Sequence, residues 1–280
     1  MTLNARTLAI GDGWQASDVR CQAGPMDAAF EEQHERVSVA IVLEGTFGYR
    51  SSRGKAVLAP GAILLGNPGD CFECGHQHSV GDRCLSFHFT PAFYEMIAAD
   101  VAGVTRLHFN RAALPPHGAG ADLLLNADLV CEEPGIAEEF ACELAARVAT
   151  ALLDERPTVS STGSKTRRIQ EVVHWIEQEA HEPQTLADFA RMACMSPFHF
   201  LREFKRVVGM TPHQFVISIR MRRAADHLRR QGGSVLQAAV EAGFSDLSEF
   251  NRRFRRVLGE TPGEYRARIG IRGNKSNICR

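Results

Sequence analysis

The chain has 280 residues and a formal net charge of −1, but this charge is divided unevenly along its length. Residues 164–280 hold 21 basic and 12 acidic residues, whereas residues 1–163 hold 11 basic and 21 acidic ones. We therefore predict two domains, of which the second, basic one is suited to nucleic acid. No apolar run reaches the ~18 residues that a membrane span needs, and no signal-peptide core is visible. We expect a cytoplasmic protein whose eight cysteines are thiols.

The first half of the chain has a pattern of short β-strands. Between residues 37 and 89, apolar and β-branched segments alternate with Gly/Pro turns such as Pro60-Gly61. This pattern is typical of a small barrel or jelly roll. Three helices are predicted to follow, over 91–99, 120–131 and 135–154. Residues 1–154 are thus predicted to form one β-rich domain with appended helices, in a protein of the α+β class.

The last of these helices carries an apolar stripe in which every fourth residue takes part: Phe140, Leu144, Val148 and Leu152. Two interpretations are open, since such a stripe can pack against the β-rich domain or form a two-helix dimer face. Residues 155–166 are polar and include Pro and Gly, which predicts a linker.

The second half contains one unit written twice with a period of 50 residues and no gap. The matching pairs are Leu186 and Leu236, Phe200 and Phe250, Phe204 and Phe254, Gly209 and Gly259, and Thr211-Pro212 and Thr261-Pro262. A repeat of this length usually marks a supersecondary unit. We predict that the two copies have the same local structure.

Each copy has the signals of two short helices joined by a tight turn. In the first copy, Ser196-Pro197 combines an N-cap with a proline at the first helical position, and Gly209 ends the helix. In the second copy, Asp246 is the expected cap. Thr211 and Thr261 each begin a capping box that starts a further helix. This order fits the helix-turn-helix of DNA-binding proteins.

The second helix of each copy presents a basic face. Its residues are Arg202, Lys205 and Arg206 in one copy and Arg252, Arg253, Arg255 and Arg256 in the other. A charge run is often only a solvated face, but recurrence on the same helix of both copies favours phosphate contact. The helix between the copies, from Thr211 to about Arg230, is about 28 Å long at ~1.5 Å per residue, close to the ~34 Å of one DNA turn.

These motifs carry a resemblance to a known family. The runs SPFHFLREFKRVVGMTP, RMRRAADHL and AGFSDLSEFNRRFRRVLGETPGEY resemble the DNA-binding domain of the AraC/XylS family of transcription regulators. The resemblance implies seven helices, two helix-turn-helix units and sequence-specific binding to promoter DNA. We expect this domain at 167–268, a basic disordered tail at 269–280, and an activator that contacts RNA polymerase.

The resemblance also assigns positions for contacts with bases. They are occupied by Phe198, His199, Leu201 and Arg202 in the first copy and by Leu247, Ser248, Asn251 and Arg252 in the second. Arginine pairs with guanine and asparagine with adenine in the major groove. We therefore expect Arg202, Asn251 and Arg252 to contact bases, and Lys205 to contact phosphate.

The first domain resembles the cupin sensor domain that is common at the N-terminus of this family. The resemblance rests on His34, the strands after it and the Pro60-Gly61 corner. It implies a small effector in the barrel, and dimerisation through helices, which favours the dimer-face interpretation of the stripe. Because His34 is followed by Glu35-Arg36 and not by a second metal-binding histidine, we do not expect a cupin enzyme.

A separate group of thiols and imidazoles lies between residues 71 and 88. Its candidate zinc ligands are Cys74, His76, His78 and Cys84. Three interpretations are open: a zinc site, a redox pair of thiols, or buried cysteines with a structural role. A repair protein that transfers alkyl groups from DNA to cysteine is another alternative, but a fourth cysteine near Cys71, Cys74 and Cys84 is lacking. No catalytic residues are predicted.

Overall fold

The computed structural model describes residues 3–24, 27, 30–76, 81–101, 108–116, 120–153, 164–230 and 234–275. Their N-terminal part is an antiparallel β-domain with three helices, and their C-terminal part is entirely helical. The predicted two-domain α+β architecture is therefore confirmed. Within this part of the chain, no helix combines the length and apolar character that crossing a membrane requires.

The described part of the first domain has ten strands. They are β1 (Leu3–Gly11), β2 (Trp14–Cys21), β3 (Phe30–Gln33), β4 (Val37–Glu44), β5 (Phe47–Ser51), β6 (Gly54–Leu58), β7 (Ile63–Gly66), β8 (Cys71–Gly75), β9 (Asp82–Phe89) and β10 (Ala113–Leu114). One sheet has the order β1-β2-β9-β4-β7-β10 and the other has the order β3-β8-β5-β6. The chain crosses repeatedly between them, so residues distant in sequence meet in the space between the sheets.

The six-stranded sheet has a covered surface on both sides. On β4, Val39 and Ile41 belong to a core shared with the helices, whereas Ala40 and Val42 belong to a second core. Successive side chains of a strand point to opposite faces. This explains why the segment from Val39 to Leu43 is apolar throughout and does not alternate with polar residues.

Three helices cover this sheet: α1 (Pro91–Ala99), α2 (Gly120–Glu132) and α3 (Ala137–Ala151). The stripe on α3 is buried against the sheet, with Phe140 3% exposed and Leu144 and Val148 fully buried. The preference for a dimer face on this stripe is therefore wrong. The sheet offers a continuous apolar surface, and the stripe is removed from water within a single chain.

The described part of the second domain has seven helices, as the resemblance implies. They are α4 (Ser164–Glu179), α5 (Leu186–Met192), α6 (Pro197–Val208), α7 (Pro212–Arg230), α8 (Val235–Glu241), α9 (Leu247–Leu258) and α10 (Pro262–Lys275). α4 starts inside the expected linker 155–166, and α10 continues into the segment expected to be a disordered tail. Both corrections lengthen the helical domain at its ends.

The helical domain is built as two halves around α7. The first half of α7 packs with α4, α5 and α6 around Phe200, Phe204 and Phe215. Its second half packs with α8, α9 and α10 around Phe250 and Phe254. α7 therefore belongs to both cores, and its length sets the distance between α6 and α9.

The two domains are in contact through α2, through the turn after β4, and through strand β6, which packs against α6. α2 packs against α7 and α9, and Arg222 of α7 forms a two-pronged ion pair with Asp128 of α2. The carboxylate of Glu177 on α4 accepts a hydrogen bond of 3.1 Å from the backbone N–H of Gly45. The helical domain is thus held against the β-domain by buried polar contacts.

Candidate nucleic-acid interface

Helix α6 has well-defined ends and an exposed outer face. Ser196 accepts a hydrogen bond of 3.4 Å from the N–H of His199, and Gly209 closes the helix with φ of 87°. Phe200 and Phe204 are fully buried, which orients the opposite side of the helix toward solvent. Phe198 is 76% exposed there, so its ring is available to another molecule.

Helix α9 repeats this construction. Asp246 accepts a hydrogen bond of 2.8 Å from the N–H of Ser248, and Gly259 closes the helix with φ of 76°. Phe250 and Phe254 are fully buried. The two helices therefore share their caps, their length of 12 residues and their buried faces, as the sequence repeat predicts.

The turns before the two helices differ by one residue. Cys194 in the first turn and Gly243 in the second both have positive φ, of 51° and 83°. They are 49 positions apart, whereas the caps Ser196 and Asp246 are 50 apart. The repeat is therefore not free of gaps. At Gly243 a side chain would also collide with the carbonyl oxygen of His181, so glycine is required there.

The basic residues of the first face are not equivalent. Arg206 is held by Glu203 at 2.6 and 3.0 Å and is half-buried. Arg202 is exposed, 3.4 Å from Nδ1 of His199 and 4.0 Å from a carboxylate oxygen of Glu203. Lys205 is exposed, and no described carboxylate lies within 4.0 Å of it. Arg202 and Lys205 are thus the cations of α6 that remain accessible to a ligand.

The second face carries more uncompensated charge. Arg252, Arg255 and Arg256 are exposed, and none has a salt bridge to a carboxylate in the part of the chain that the structure describes. Arg253, by contrast, is bound to Glu249 at 2.6 Å. The other predicted contact positions of α9 are Leu247 and Ser248, which are exposed, and Asn251, which is half-buried. In α6, His199 and Leu201 are likewise half-buried.

An arginine that the sequence analysis missed ties the two halves of the helical domain together. Arg220 on α7 donates hydrogen bonds to the carbonyl oxygens of Ala180 at 2.5 Å, Glu182 at 3.0 Å and Gly243 at 2.8 Å. Its guanidinium also lies 5.6 Å from the centre of the Phe244 ring. Arg220 therefore joins the turn before α5 to the turn before α9. Periodicity gives no signal for it, because its partners are backbone atoms.

The predicted metal ligands lie in the β-domain, around a cavity of about 460 Å³. Cys74 is half-buried on β8, His76 is buried just after this strand, and Cys84 is buried on β9. His78 lies outside the described residues. His34 also lines the cavity, where its Nε2 is hydrogen-bonded to the hydroxyl of Tyr49 at 2.8 Å and its ring stacks on Phe72.

Comparison with known proteins also identifies a helix-turn-helix domain in the second half of the chain. Residues 189–268 match a family model described as a helix-turn-helix domain. The chain is 28% identical over 198 residues to the uncharacterised HTH-type transcriptional regulator YbfI of Bacillus subtilis, covering 69% of this chain and 70% of that protein. It is 33% identical over 101 residues to the Transposon Tn10 TetD protein of Escherichia coli, covering 36% of this chain and 73% of that protein.

Two further similarities cover less than half of the chain. The transcriptional regulator ArgR of Pseudomonas aeruginosa is 28% identical over 141 residues, which are 47% of this chain and 43% of that protein. The solved structure of an AraC-type regulator from Chromobacterium violaceum is 28% identical, covers 36% of this chain and 91% of its own, and has a TM-score of 0.35. The chain therefore belongs to the AraC/XylS family of DNA-binding transcriptional regulators.

Proposed function

We propose that this regulator reads a promoter with α6 and α9, placed in successive major grooves on one face of double-stranded DNA. The observation that carries the proposal is the pair of capped, outward-facing basic helices, held on the single helix α7. α7 has 19 residues, so its axis is about 28 Å long. This length is near the ~34 Å that separates equivalent positions of neighbouring major grooves.

Each of the two helices contributes contacts with bases and contacts with phosphates. Arg202, Asn251 and Arg252 contact base edges, where an arginine fork pairs with guanine and an asparagine with adenine. Lys205 and the exposed arginines farther along α9 contact phosphates, which position the protein and carry no sequence information. Arg206 contributes less than the sequence suggests, because Glu203 neutralises it within the same helix.

The β-domain acts in this proposal as a cupin-like effector domain. Leaving aside β1 and β10, its strands form two four-stranded layers, β2-β9-β4-β7 and β3-β8-β5-β6, an arrangement of the double-sheet jelly-roll type. The cavity between the sheets has a volume of about 460 Å³, which suits a small ligand. Contact of this domain with α7 gives an effector a route to the DNA-binding helices. The proposal also includes that the protein is a homodimer and that it activates transcription in contact with RNA polymerase.

The thiols of this cavity favour a regulator over the alkyl-transfer alternative. Burial raises the pKa of the Cys74 and Cys84 thiols above their ordinary value. Only the thiolate is a good nucleophile, so both residues are poorly suited to accept an alkyl group.

The test is a selection of binding sites from random double-stranded DNA with the full-length protein. The expected result is a motif with two conserved blocks about one helical turn apart. Affinity is expected to fall steeply with salt, with a log–log slope of about −0.9 per phosphate contact. A selected motif with a single block, or binding that does not change between low and physiological salt, would contradict the proposal.

A further inference from the structure

A buried group of metal-binding side chains lies in the first domain, away from the recognition helices. The ligand atoms of Cys21, His76 and Asp82 all lie within 4.8 Å of one another. Cys21 and Asp82 face each other across the antiparallel pair of β2 and β9, and His76 directly follows β8. The fold thus brings together ligands from β2, from β9 and from the residue after β8 at the wall of the cavity.

The surroundings add a fourth donor and hold the histidine in place. Sγ of Cys84 lies 3.5 Å from Oδ1 of Asp82, and both residues line the cavity. The ring of His76 stacks on Phe47 with a centroid distance of 5.6 Å, and its Nε2 is hydrogen-bonded to Asp82. Two sulfurs, one imidazole and one carboxylate are therefore concentrated in one buried place.

A disulfide does not explain this arrangement. Cys21 faces Asp82 and Cys84 faces Val19 in the β2–β9 pair, so the two cysteines are diagonal neighbours on the sheet. Diagonal neighbours are about 7–8 Å apart, whereas the Cβ atoms of a disulfide are about 3.5–4.5 Å apart. A cation bound at ~2.3 Å from sulfur and ~2.0–2.1 Å from nitrogen links side chains that a disulfide cannot join.

An apolar role does not explain it either. His76 and Asp82 are 2% and 7% exposed in their side chains, and the cost of burying them is offset by their contact with each other and with Cys84. Apolar residues of the same size would stabilise a purely structural core equally well. The combination of a buried carboxylate, an imidazole and two thiols is instead the ligand set of a metal that accepts sulfur.

We propose that Cys21, His76 and Asp82, together with Cys84, form a binding site for a thiophilic divalent cation such as zinc. The donor set matches the four-coordinate, tetrahedral preference of zinc for sulfur, nitrogen and oxygen ligands. The site shares His76 and Cys84 with the sequence prediction, and it replaces the other two members by Cys21 and Asp82. The site would bind a metal ion within the proposed effector domain, and it uses none of the residues proposed to contact DNA.

Binding exchanges protons for the cation and needs no oxidant. Cys21 and Cys84 each release one thiol proton to solvent, and Nε2 of His76 exchanges its hydrogen bond with Asp82 for the cation, with the imidazole proton then on Nδ1. The cation then lies among two thiolates and one carboxylate. Because both thiols must lose a proton before they bind the cation, affinity is expected to increase with pH.

The experiment is a zinc titration of the full-length protein, freed of metal with a chelator and monitored by competition with a fluorescent zinc indicator. The wild type is expected to bind one zinc ion per chain. The variants Cys21→Ala and Asp82→Asn are expected to bind it at least ~10–100-fold more weakly, since loss of even an outer-shell partner has that effect. Cys71→Ala is the matched control, because Cys71 is exposed on β8 and does not line the cavity.

Two further measurements separate metal binding from folding. Zinc is expected to raise the melting temperature of the wild type and of Cys71→Ala but not of Cys21→Ala or Asp82→Asn. Asp82→Asn keeps the shape of the side chain, so its zinc-free melting temperature shows whether the domain is folded. With Co²⁺ as the probe, the near-ultraviolet absorption of a sulfur–cobalt bond is expected in the wild type and should be weaker in Cys84→Ala.

Two results would overturn the proposal. One is a wild-type protein that binds zinc no better than Cys21→Ala does. The other is zinc binding that survives in Cys21→Ala and Asp82→Asn but is lost in Cys74→Ala, which would return the metal to the ligands predicted from sequence. DNA binding by the zinc-free protein is measured on the same samples, so failure of the metal site is distinguishable from failure of the proposed function.

Discussion

Arg222 of the helical domain and Asp128 of the β-domain form a two-pronged ion pair, with Nε to Oδ2 at 2.7 Å and Nη2 to Oδ1 at 3.1 Å. Arg222 also donates to the backbone carbonyl of Leu43. The side chains of Arg222 and Asp128 are only 16% and 9% exposed. α7, which packs against both α6 and α9, is thus anchored directly to the domain that contains the cavity.

This pair predicts a large effect on stability. Among the described residues, Arg222→Ala leaves the buried Asp128 carboxylate with Arg83, at 4.0 Å, as its one cationic partner, and we expect a loss of about 3 kcal/mol in the free energy of unfolding. Urea denaturation of the full-length protein measures it. The control is Arg191→Ala, whose exposed pair with Asp188 is expected to contribute at most ~1 kcal/mol. Equal losses in the two variants would show that the interdomain pair has no special role.

Glu177 predicts that stability depends on pH. Burial raises its pKa to about 7, and Glu44 nearby acts in the same direction, while the Gly45 N–H and Arg222 oppose the shift. Because the folded-state pKa exceeds the ordinary value of 4.5, the folded protein binds the proton more tightly than the unfolded chain does. This contribution to stability is complete below about pH 4.5 and is lost as pH rises to about 7.

The size of the effect follows from the shift, at ~1.4 kcal/mol for each pKa unit, and amounts to about 3 kcal/mol. The measurement compares the free energy of unfolding at pH 5 and pH 8 in the wild type and in Glu177→Gln. The glutamine cannot ionise, so the drop between the two pH values is expected to be smaller in the variant. The same drop in both proteins would mean that Glu177 does not titrate in this range.

The recognition helices predict different kinds of loss in DNA binding. Arg202→Ala and Arg252→Ala are each expected to cost ~1–3 kcal/mol and to relax preference at one base position. Those two positions should lie about one helical turn apart. Lys205→Ala is the control, because loss of a phosphate contact weakens binding to all sequences alike. Selection of binding sites with the three variants tests this prediction. If Arg202→Ala lowered the affinity for all sequences equally, α6 would contact only phosphates and would not recognise bases.

Arg220 predicts an effect on the geometry of binding. Arg220→Met removes three hydrogen bonds that join the turns before α5 and α9, while keeping a long apolar side chain. Affinity for a complete operator is expected to fall about tenfold, equivalent to ~1.4 kcal/mol, because the two helices are no longer held in register. Affinity for an operator with one block should stay near that of the wild type, and an equal loss on both operators would indicate general damage to the fold.

Local signals in the sequence were sufficient for the helical domain. Caps such as Ser196 and Asp246, the proline after Ser196 and the glycines at 209 and 259 all act within a few residues. Their energies do not depend on distant partners, so the ends of α6 and α9 and their basic faces could be predicted. Because the sequence repeats, the same prediction applied to both copies, apart from one extra residue in the second turn.

The tertiary structure decided every feature that joins distant residues. The stripe of Phe140 and Leu144 fits a dimer face or a core equally well, and only the sheet beneath α3 shows that it is core. Cys21 meets Asp82 because β2 pairs with β9. Arg222 meets Asp128 across 94 positions. Sequence periodicity indicates which side of a helix or strand is apolar. Strand pairing and the contact between domains determine which residues each side, apolar or polar, will contact.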